Sequence, residues 1–167
     1  MSYDDLIDVV DDNDEVIDTK TKKEVMEQVL PHRGVNIILF NSKDEIFVHQ
    51  RSLDKKAYPG YWAFLFGGFV DAGESHDEAA LRELEEESGI KADKLEFLKY
   101  FRYQTRSDDW FGKLYRLISD ENVKIQEEEI EKGFFIHLSE LDDFIKNNKI
   151  EPSNKYMYKD FKELIIN

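Results

Sequence analysis

Three glutamates, Glu83, Glu86 and Glu87, have the spacing in this sequence that is best suited to chemistry. Residues 76–89 have the composition of a helix, on which side chains three and four positions apart share one face. Three carboxylates on one face repel each other, and a bound divalent cation is the simplest way to remove that penalty. The alternative is an acidic helix face that contacts only solvent. The glycines that precede the helix, Gly67 and Gly68, favour a ligand site because glycine allows a close approach of the backbone.

Ligands that offer only oxygen favour hard cations, so the sequence predicts a Mg²⁺ site, with Mn²⁺ as a reasonable substitute. Mg²⁺ keeps several waters and commonly binds through a few carboxylates together with the phosphates of a substrate. Such a cation polarises a phosphoryl oxygen, offsets charge on the leaving group and lowers the pKa of an attacking water. A nearby carboxylate then takes the proton of that water. A Mg²⁺ site of this kind can support chemistry at phosphorus.

The segment GGFVDAGESHDEAALRELEEESGI, residues 67–90, has fixed or hydrophobic residues at set intervals. These residues are Gly68, Glu74, Arg82, Glu83, Leu84, Glu86, Glu87, Gly89 and Ile90. With average residue usage, such a set arises by chance on the order of once in ten million starting positions. The segment resembles the complete signature of the Nudix hydrolase family, with no departure from it. The resemblance implies a pyrophosphohydrolase with an α/β/α sandwich fold.

The resemblance also implies roles for the acidic residues of the motif. Glu86 and Glu87 match metal ligands, and Glu83 matches a residue that serves as a further ligand or as the general base. The backbone carbonyl of Gly67 matches one that often joins the metal shell. Glu74 and Arg82 match a pair that holds the loop against the helix, so we expect them to give structural support.

Many members of the family add a glutamate from a later loop. The sequence has an acidic cluster just before a predicted strand over residues 133–137, and we choose Glu129 from it because Ile130 follows directly. The other members of the cluster are Glu127, Glu128 and Glu131. An exposed acidic turn is an equally good interpretation of any one of them.

Substrate-binding residues are indicated much less clearly. An acidic protein needs cations where an anionic substrate lies, and we choose Arg51 first and Arg33 second. Arg51 is preferred because it ends a predicted strand before the motif loop. The remaining arginines considered are Arg102 and Arg106. Four aromatic residues are candidates for stacking on a base or sugar, although core packing is the favoured interpretation for each. They are Tyr58, Tyr61, Trp62 and Phe64.

Composition excludes several classes of protein. The sequence has no cysteine, which removes disulfides, thiolate metal sites and cysteine nucleophiles and suits the cytoplasm. The net charge of −14 makes a nucleic-acid polymer an improbable partner. The acidic N-terminus is unlike a signal peptide, and no apolar run approaches a membrane span. We expect a cytoplasmic protein with a small-molecule partner, and monomer and homodimer both stay open.

The hydrophobic pattern predicts a single α+β domain over residues 1–167, with a mixed sheet between helices and a β-hairpin before it. Residues 1–30 are expected to form that hairpin and a short helix. The expected elements are hairpins at 6–17 and 35–49, strands at 63–69, 95–103, 111–119 and 133–137, and helices at 21–29, 76–89, 139–147 and 155–165.

Residues 6–145 also resemble the branch of the family that contains isopentenyl-diphosphate isomerases and isomerase-like bacterial hydrolases. The isomerases need a cysteine at the position of Gly67 and carry a histidine at that of Phe69, so isomerase activity is disfavoured here. A ligand-sensing module without catalysis is a second alternative, although such modules usually have substituted motif glutamates. The preferred hypothesis is a Mg²⁺-dependent hydrolase of a diphosphate linkage in a nucleoside di- or triphosphate or a related nucleoside diphosphate derivative.

Overall fold

The computed structural model describes residues 2–126 and 128–166. Glu127, one of the four acidic residues considered for the later loop, lies outside these residues. The strands are β1 (Leu6–Val10), β2 (Val16–Thr21), β3 (His32–Phe40), β4 (Glu45–Arg51), β5 (Trp62–Ala63), β6 (Glu96–Gln104), β7 (Asp109–Ile118) and β8 (Ile130–His137). The helices are α1 (Lys22–Gln28), α2 (His76–Ser88), α3 (Leu141–Asn147) and α4 (Pro152–Ile166), and a 3₁₀ turn at Leu138–Glu140 precedes α3.

Strand β3 lies in the middle of a mixed sheet. It pairs with β7 in parallel along its whole length, from His32 opposite Trp110 to Phe40 opposite Ile118. The other pairs of strands, such as β6 with β7 and β4 with β8, are antiparallel. The prediction of a mixed sheet is therefore confirmed.

The predicted hairpin of β3 and β4 exists only at its turn, where Phe40 pairs with Ile46. Beyond the turn, the edge of β3 that β4 would use is occupied by residues 66–69. Ile37 donates to the carbonyl of Phe66 at 2.8 Å, and Val35 donates to that of Gly68 at 2.9 Å. Strand β4 therefore diverges and pairs with β5 and β8. This arrangement fixes the backbone at the start of the glycine-rich loop.

Both faces of the sheet are covered. Odd-numbered residues of β3 such as Val35 and Ile37 pack in one buried cluster with Leu84 of α2. Even-numbered residues such as Ile38 pack in a second cluster with Met157 of α4. This alternation is expected when helices cover both faces of a sheet, and it gives the predicted α/β/α sandwich. No helix in the described part of the chain is long and apolar enough to cross a membrane.

The N-terminal hairpin of β1 and β2 is present as predicted, and α1 begins with the expected capping box of Thr21 and Glu24. The hairpin contacts the loop that precedes α2. Ala72 donates to the carbonyl of Leu6 at 2.8 Å, and the amide of Gly73 donates to a carboxylate oxygen of Asp8 at 2.9 Å. Residues 1–30 thus lie against the segment that carries the motif.

Helix α4 begins at Pro152, three residues earlier than predicted, because proline suits a first turn and the carboxylate of Glu151 accepts the amide of Asn154 at 3.0 Å. The buried Asn154 side chain accepts from the amides of Phe64 and Leu65 at 2.8 and 3.1 Å. Helix α4 therefore holds the segment that leads into Gly67, a contact that no local sequence pattern indicates.

The buried imidazole of His49 makes stability depend on pH. Its ring stacks on Phe66 at 4.9 Å, and its Nδ1 has no hydrogen-bond partner in the described structure. Burial lowers its pKa from 6.5 to about 3. Since the unfolded chain binds this proton more readily, the contribution of His49 to stability decreases as pH falls below about 6.5. We expect wild type to lose about 2 kcal/mol from this residue between pH 7 and pH 5.

The variant His49→Leu should show a correspondingly smaller loss of unfolding free energy over this range, measured by urea denaturation. Parallel pH profiles for wild type and His49→Leu would contradict the assignment.

Candidate active site

Helix α2 is capped at both ends, and this sets the direction of its glutamates. Ser75 and Glu78 form a capping box at its start, and Gly89 ends it in the left-handed conformation with φ of 71°. The first apolar turn buries Ala79 and Ala80 against the sheet. The carboxylates of the motif lie on the neighbouring face of the helix.

Gly67 brings the backbone against both β3 and α2. Its φ is 146°, and a Cβ built on it would lie 2.0 Å from the carbonyl oxygen of Val35. Its amide donates to the carboxylate of Glu87 at 3.1 Å. A Cβ on Gly68 would lie 2.5 Å from Oε1 of Glu83. Only glycines allow the loop to pass this close to the two carboxylates.

Arg82 connects the loop to the helix. Its guanidinium donates to both carboxylate oxygens of Glu74, at 3.0 and 2.9 Å, and to the carbonyl of Phe69 at 3.0 Å. The remaining nitrogen donates to Oε1 of Glu83 at 2.7 Å. The structure therefore contains the Glu74–Arg82 pair that the motif indicates. The additional contact with Glu83 fixes the orientation of that carboxylate as well.

The motif glutamates differ in their environments. Glu83 is buried, and burial raises its pKa although Arg82 opposes this effect. Glu87 is half-buried, and burial followed by repulsion from Glu83 raises its pKa to about 8. Glu86 is exposed, with a carboxylate oxygen 3.7 Å from Arg82.

The residues present suit a hard divalent cation. As the side chains lie, no three acidic or histidine residues within the described ranges are arranged to hold a metal ion together. However, Glu83, Glu86, Glu87 and the backbone of Gly67 line one cavity. The donors in this set are oxygens, and a cation would remove the repulsion that raises the pKa of Glu87.

The cavity has a volume of about 420 Å³ and opens between the motif, the N-terminal residues and the loop after β4. Glu129, the glutamate chosen from the later loop, also lines it, and so does Arg51. The cavity therefore brings together the three motif glutamates, the later glutamate and one of the two selected arginines. The cations that line it are Lys22, Arg51, Lys55 and Lys56.

Arg33, the second arginine selected, does not line this cavity. Its guanidinium donates to the carboxylate of Asp14 at 2.7 Å and so fastens β3 to the N-terminal hairpin. Arg102 is similarly engaged with Asp109 and Asp12. Acidic side chains therefore already occupy donors of both arginines.

The aromatic residues considered for stacking also lie outside the cavity lining. Phe64 is fully buried, and Trp62 packs edge-on against Phe134 and Phe144. Tyr58 lies beside Tyr61, with ring centroids 5.5 Å apart. The preference for core packing agrees with the positions of Phe64 and Trp62.

Sequence reasoning missed the three lysines of the cavity. Lys22 begins α1, with its ammonium 4.6 Å from the ring centroid of Phe69. Lys55 and Lys56 lie in the loop after β4. The pair of adjacent lysines four residues after Arg51 was a usable signal. For Lys22 no signal existed, because only the docking of the N-terminal hairpin brings it to the site.

Replacing Arg82 by lysine tests how far the loop depends on this guanidinium. A single ammonium cannot serve Glu74, Glu83 and the carbonyl of Phe69 together. We expect Arg82→Lys to lower the unfolding free energy by about 2–3 kcal/mol and turnover by about 10- to 100-fold. Denaturation and steady-state kinetics measure the two effects.

The matched control is Arg116→Lys, which removes another bidentate arginine. Arg116 binds the carboxylate of Glu96 at 3.0 Å through two nitrogens and lies outside the cavity. Its replacement should leave turnover near that of wild type. Wild-type stability and turnover in Arg82→Lys would exclude a supporting role for Arg82.

Comparison with known proteins identifies the family. The sequence model of the NUDIX domain matches residues 30–161. An uncharacterised Nudix hydrolase of Pseudomonas aeruginosa is 38% identical over 131 residues, which are 78% of this chain and 78% of the relative. An isopentenyl-diphosphate Δ-isomerase of Photorhabdus laumondii is 28% identical over 71% of this chain and 70% of the relative.

Solved structures agree with these matches. The crystal structure of DR0079 from Deinococcus radiodurans has a TM-score of 0.78 at 25% identity and covers 93% of this chain and 99% of its own. The NUDIX domain of NrtR from Shewanella oneidensis, crystallised with ADP-ribose, has a TM-score of 0.63 at 20% identity, with coverage of 86% and 98%. The second likeness shows the fold alone. With the motif, the fold and the family match in agreement, the chain belongs to the Nudix hydrolase family.

Proposed function

We propose that this protein is a Mg²⁺-dependent pyrophosphohydrolase that cleaves a diphosphate linkage in a nucleoside di- or triphosphate or a related nucleoside diphosphate derivative. The observation that carries the proposal is that one cavity is lined both by the motif glutamates and by a group of cations. Carboxylates on one side suit a metal ion, and cations on the other suit phosphate oxygens. A diphosphate requires both.

The positive groups stand out against the charge of the chain. The net charge is −14, yet four cations line this one cavity. Lys22, Lys55 and Lys56 provide compact charges that bind phosphate in many geometries, and Arg51 provides a planar fork. We assign these four residues to the phosphate oxygens of the substrate. Their concentration here also offsets the repulsion that an acidic protein exerts on an anion.

Glu86 and Glu87 would hold the metal ion, together with Glu83 and the carbonyl of Gly67. A bound Mg²⁺ supplies Lewis-acid activation of the phosphoryl group and stabilises the negative charge that develops on the leaving phosphate. Mn²⁺ would replace it with similar ligands. The contact of Arg82 with Glu83 would keep that carboxylate aimed at the cavity.

We assign the general base to Glu129. Glu83 is assigned to the metal shell, where Arg82 fixes its Oε1, so Glu129 is the glutamate of the cavity that is left to take a proton. Glu129 also lines the cavity, on the loop before β8. A water between Glu129 and the motif glutamates would pass its proton to Glu129 as it attacks phosphorus.

The rest of the substrate would lie towards the N-terminal residues. Tyr3 and Met26 line the cavity and remain partly exposed, and Phe69 lies beside them in the lining. Aromatic and thioether side chains suit a flat base. The ADP-ribose bound to the NrtR domain is a compound of the proposed class, held by a protein of the same fold.

Isomerisation of isopentenyl diphosphate is the second candidate, because isomerases are among the relatives. The chain has no cysteine, and Gly67 and Phe69 occupy the positions where the isomerases carry cysteine and histidine. The described cavity offers no thiol in their place. A sensing module is disfavoured because every motif glutamate is present.

The test is a substrate panel with pure protein and Mg²⁺. It contains nucleoside di- and triphosphates, nucleotide sugars, ADP-ribose, dinucleoside polyphosphates and isopentenyl diphosphate, with products identified by mass. We expect a nucleoside monophosphate or inorganic phosphate among the products of at least one nucleotide. Conversion of isopentenyl diphosphate to its isomer, or binding without turnover across the panel, would overturn the proposal.

A further inference from the structure

Glu129 does not lie free in the cavity, because the ammonium of Lys55 is paired with its carboxylate. Both side chains are largely but not fully covered, with 27% of Lys55 and 29% of Glu129 exposed. The backbone reinforces this contact. The amide of Ser52 donates to the carbonyl of Glu129 at 2.9 Å, and the backbone amide of Lys55 donates to the carbonyl of Ser52 at 3.3 Å. The turn of residues 52–55 thus binds Glu129 through both main chain and side chain.

This pairing conflicts with the two functions that the cavity needs. A base must keep an oxygen available for the proton of a water, and a phosphate-binding lysine must keep its ammonium available for the substrate. In the structure the ammonium of Lys55 lies on Oε2 of Glu129, so each group is held by the other at one position. The same two side chains also act on the rest of the site, since Glu129 raises the pKa of Glu87 and Lys55 lowers it.

We propose that Lys55 is a positioning residue, which holds Glu129 in the substrate-free enzyme and releases it when a phosphate group takes the ammonium. The inference rests on the proposed function, because it takes Glu129 as the base and the cavity as a diphosphate site. Exchange of Glu129 for a phosphate group at the ammonium of Lys55 costs little free energy, since partly exposed ion pairs are weak. A phosphate group offers Lys55 a more highly charged partner than one carboxylate does. Glu129 would therefore become available only when a substrate is in place.

The first test measures metal binding without substrate. Free Mn²⁺ is followed by electron paramagnetic resonance during titration of wild type and of Lys55→Met. If Lys55 restrains Glu129, its removal frees a carboxylate, and Mn²⁺ should bind about three- to tenfold more tightly. Lys55→Arg, which keeps the ion pair, should bind Mn²⁺ as wild type does.

Loss of a positive charge raises cation affinity in any case, and Lys56→Met is the matched control for this effect. Lys56 lines the same cavity, but its ammonium lies 4.2 Å from the ring centroid of Tyr3. Lys56→Met should gain less than about twofold, because charges at such exposed sites are screened. In Lys55→Met/Glu129→Gln the gain of Lys55→Met should vanish, since no carboxylate is left to release.

The second test is the reciprocal one and contains no metal. Methylenediphosphonate, a diphosphate that cannot be hydrolysed at its bridge, is titrated by calorimetry. Glu129→Gln frees the ammonium of Lys55. This variant should bind methylenediphosphonate about three- to tenfold more tightly than wild type does. The gain should be absent in Lys55→Met/Glu129→Gln.

Equal gains in Lys55→Met and Lys56→Met, or a gain that persists in the double variant, would overturn the role of Lys55. So would an unchanged affinity of Glu129→Gln for methylenediphosphonate. If wild type binds Mn²⁺ and methylenediphosphonate but the variants show none of these gains, this inference alone is overturned. Wild type that binds neither probe would overturn the proposed function together with it.

Discussion

Replacing Glu87 by glutamine is expected to lower Mg²⁺-dependent turnover by about 10²- to 10³-fold while the fold is kept. The amide has the shape of the carboxylate and can still accept from Gly67, but it lacks the charge that binds the cation. Burial and the neighbouring Glu83 already raise the pKa of this group to about 8, so the neutral side chain suits its surroundings. Steady-state kinetics and a Mn²⁺ titration measure the loss, and circular dichroism verifies the fold.

The matched control is Glu85→Gln on the same helix. Glu85 is exposed and pairs with Lys91 at 2.8 Å, outside the cavity. Its replacement should leave turnover within about twofold of wild type, because exposed ion pairs contribute little. If Glu87→Gln keeps full activity, or if Glu85→Gln loses as much, then the assignment of the metal ligands is wrong.

Replacing Gly67 by alanine is expected to lower the unfolding free energy by about 3 kcal/mol or more. The new Cβ would meet the backbone of Val35 at 2.0 Å, and the φ of 146° is unfavourable for any side chain. Neither β3 nor the loop can move aside, since the hydrogen bonds of Val35 and Ile37 join them on both sides of Gly67. Thermal and urea denaturation measure the loss.

Gly68→Ala separates stability from activity. The Cβ at this position would meet the carboxylate of Glu83 at 2.5 Å, at the far end of a side chain that can turn. We expect a loss of stability below about 1.5 kcal/mol, with turnover reduced by about 10- to 100-fold because Glu83 is displaced from Arg82. If Gly67→Ala is as stable as Gly68→Ala, then the loop does not pack on β3 too closely to admit a side chain at position 67.

Much of the site was predictable because its determinants are local in sequence. The capping residues Thr21, Ser75 and Gly89 act within a few positions, and the helices they limit occur where the pattern places them. The face shared by Glu83 and Glu87 follows from helical spacing alone. The family signature adds the roles, which spacing by itself does not supply.

The parts that were missed depend on contacts between distant segments. The parallel pairing of β3 with β7 joins residues 78 positions apart, such as His32 and Trp110. Residues 66–69 occupy the other edge of β3 and leave the predicted hairpin of β3 and β4 with only its turn. The sequence indicated Arg33 as a substrate-binding cation, whereas the N-terminal hairpin places Asp14 against its guanidinium. Lys22 shows the converse, because the docked hairpin places it in the cavity.

The docking of the N-terminal hairpin also has an evolutionary consequence. The residues that form one wall of the cavity, Tyr3, Lys22 and Met26, precede the family domain, which the match places at residues 30–161. The residues proposed for hydrolysis, on α2, on its loop and at Glu129, lie within that domain. If the proposed function holds, mutations in the first 30 residues would alter which compound is accepted while the residues proposed for hydrolysis stay unchanged. On the proposed assignment, substrate choice and hydrolysis would depend in part on separate segments of the chain.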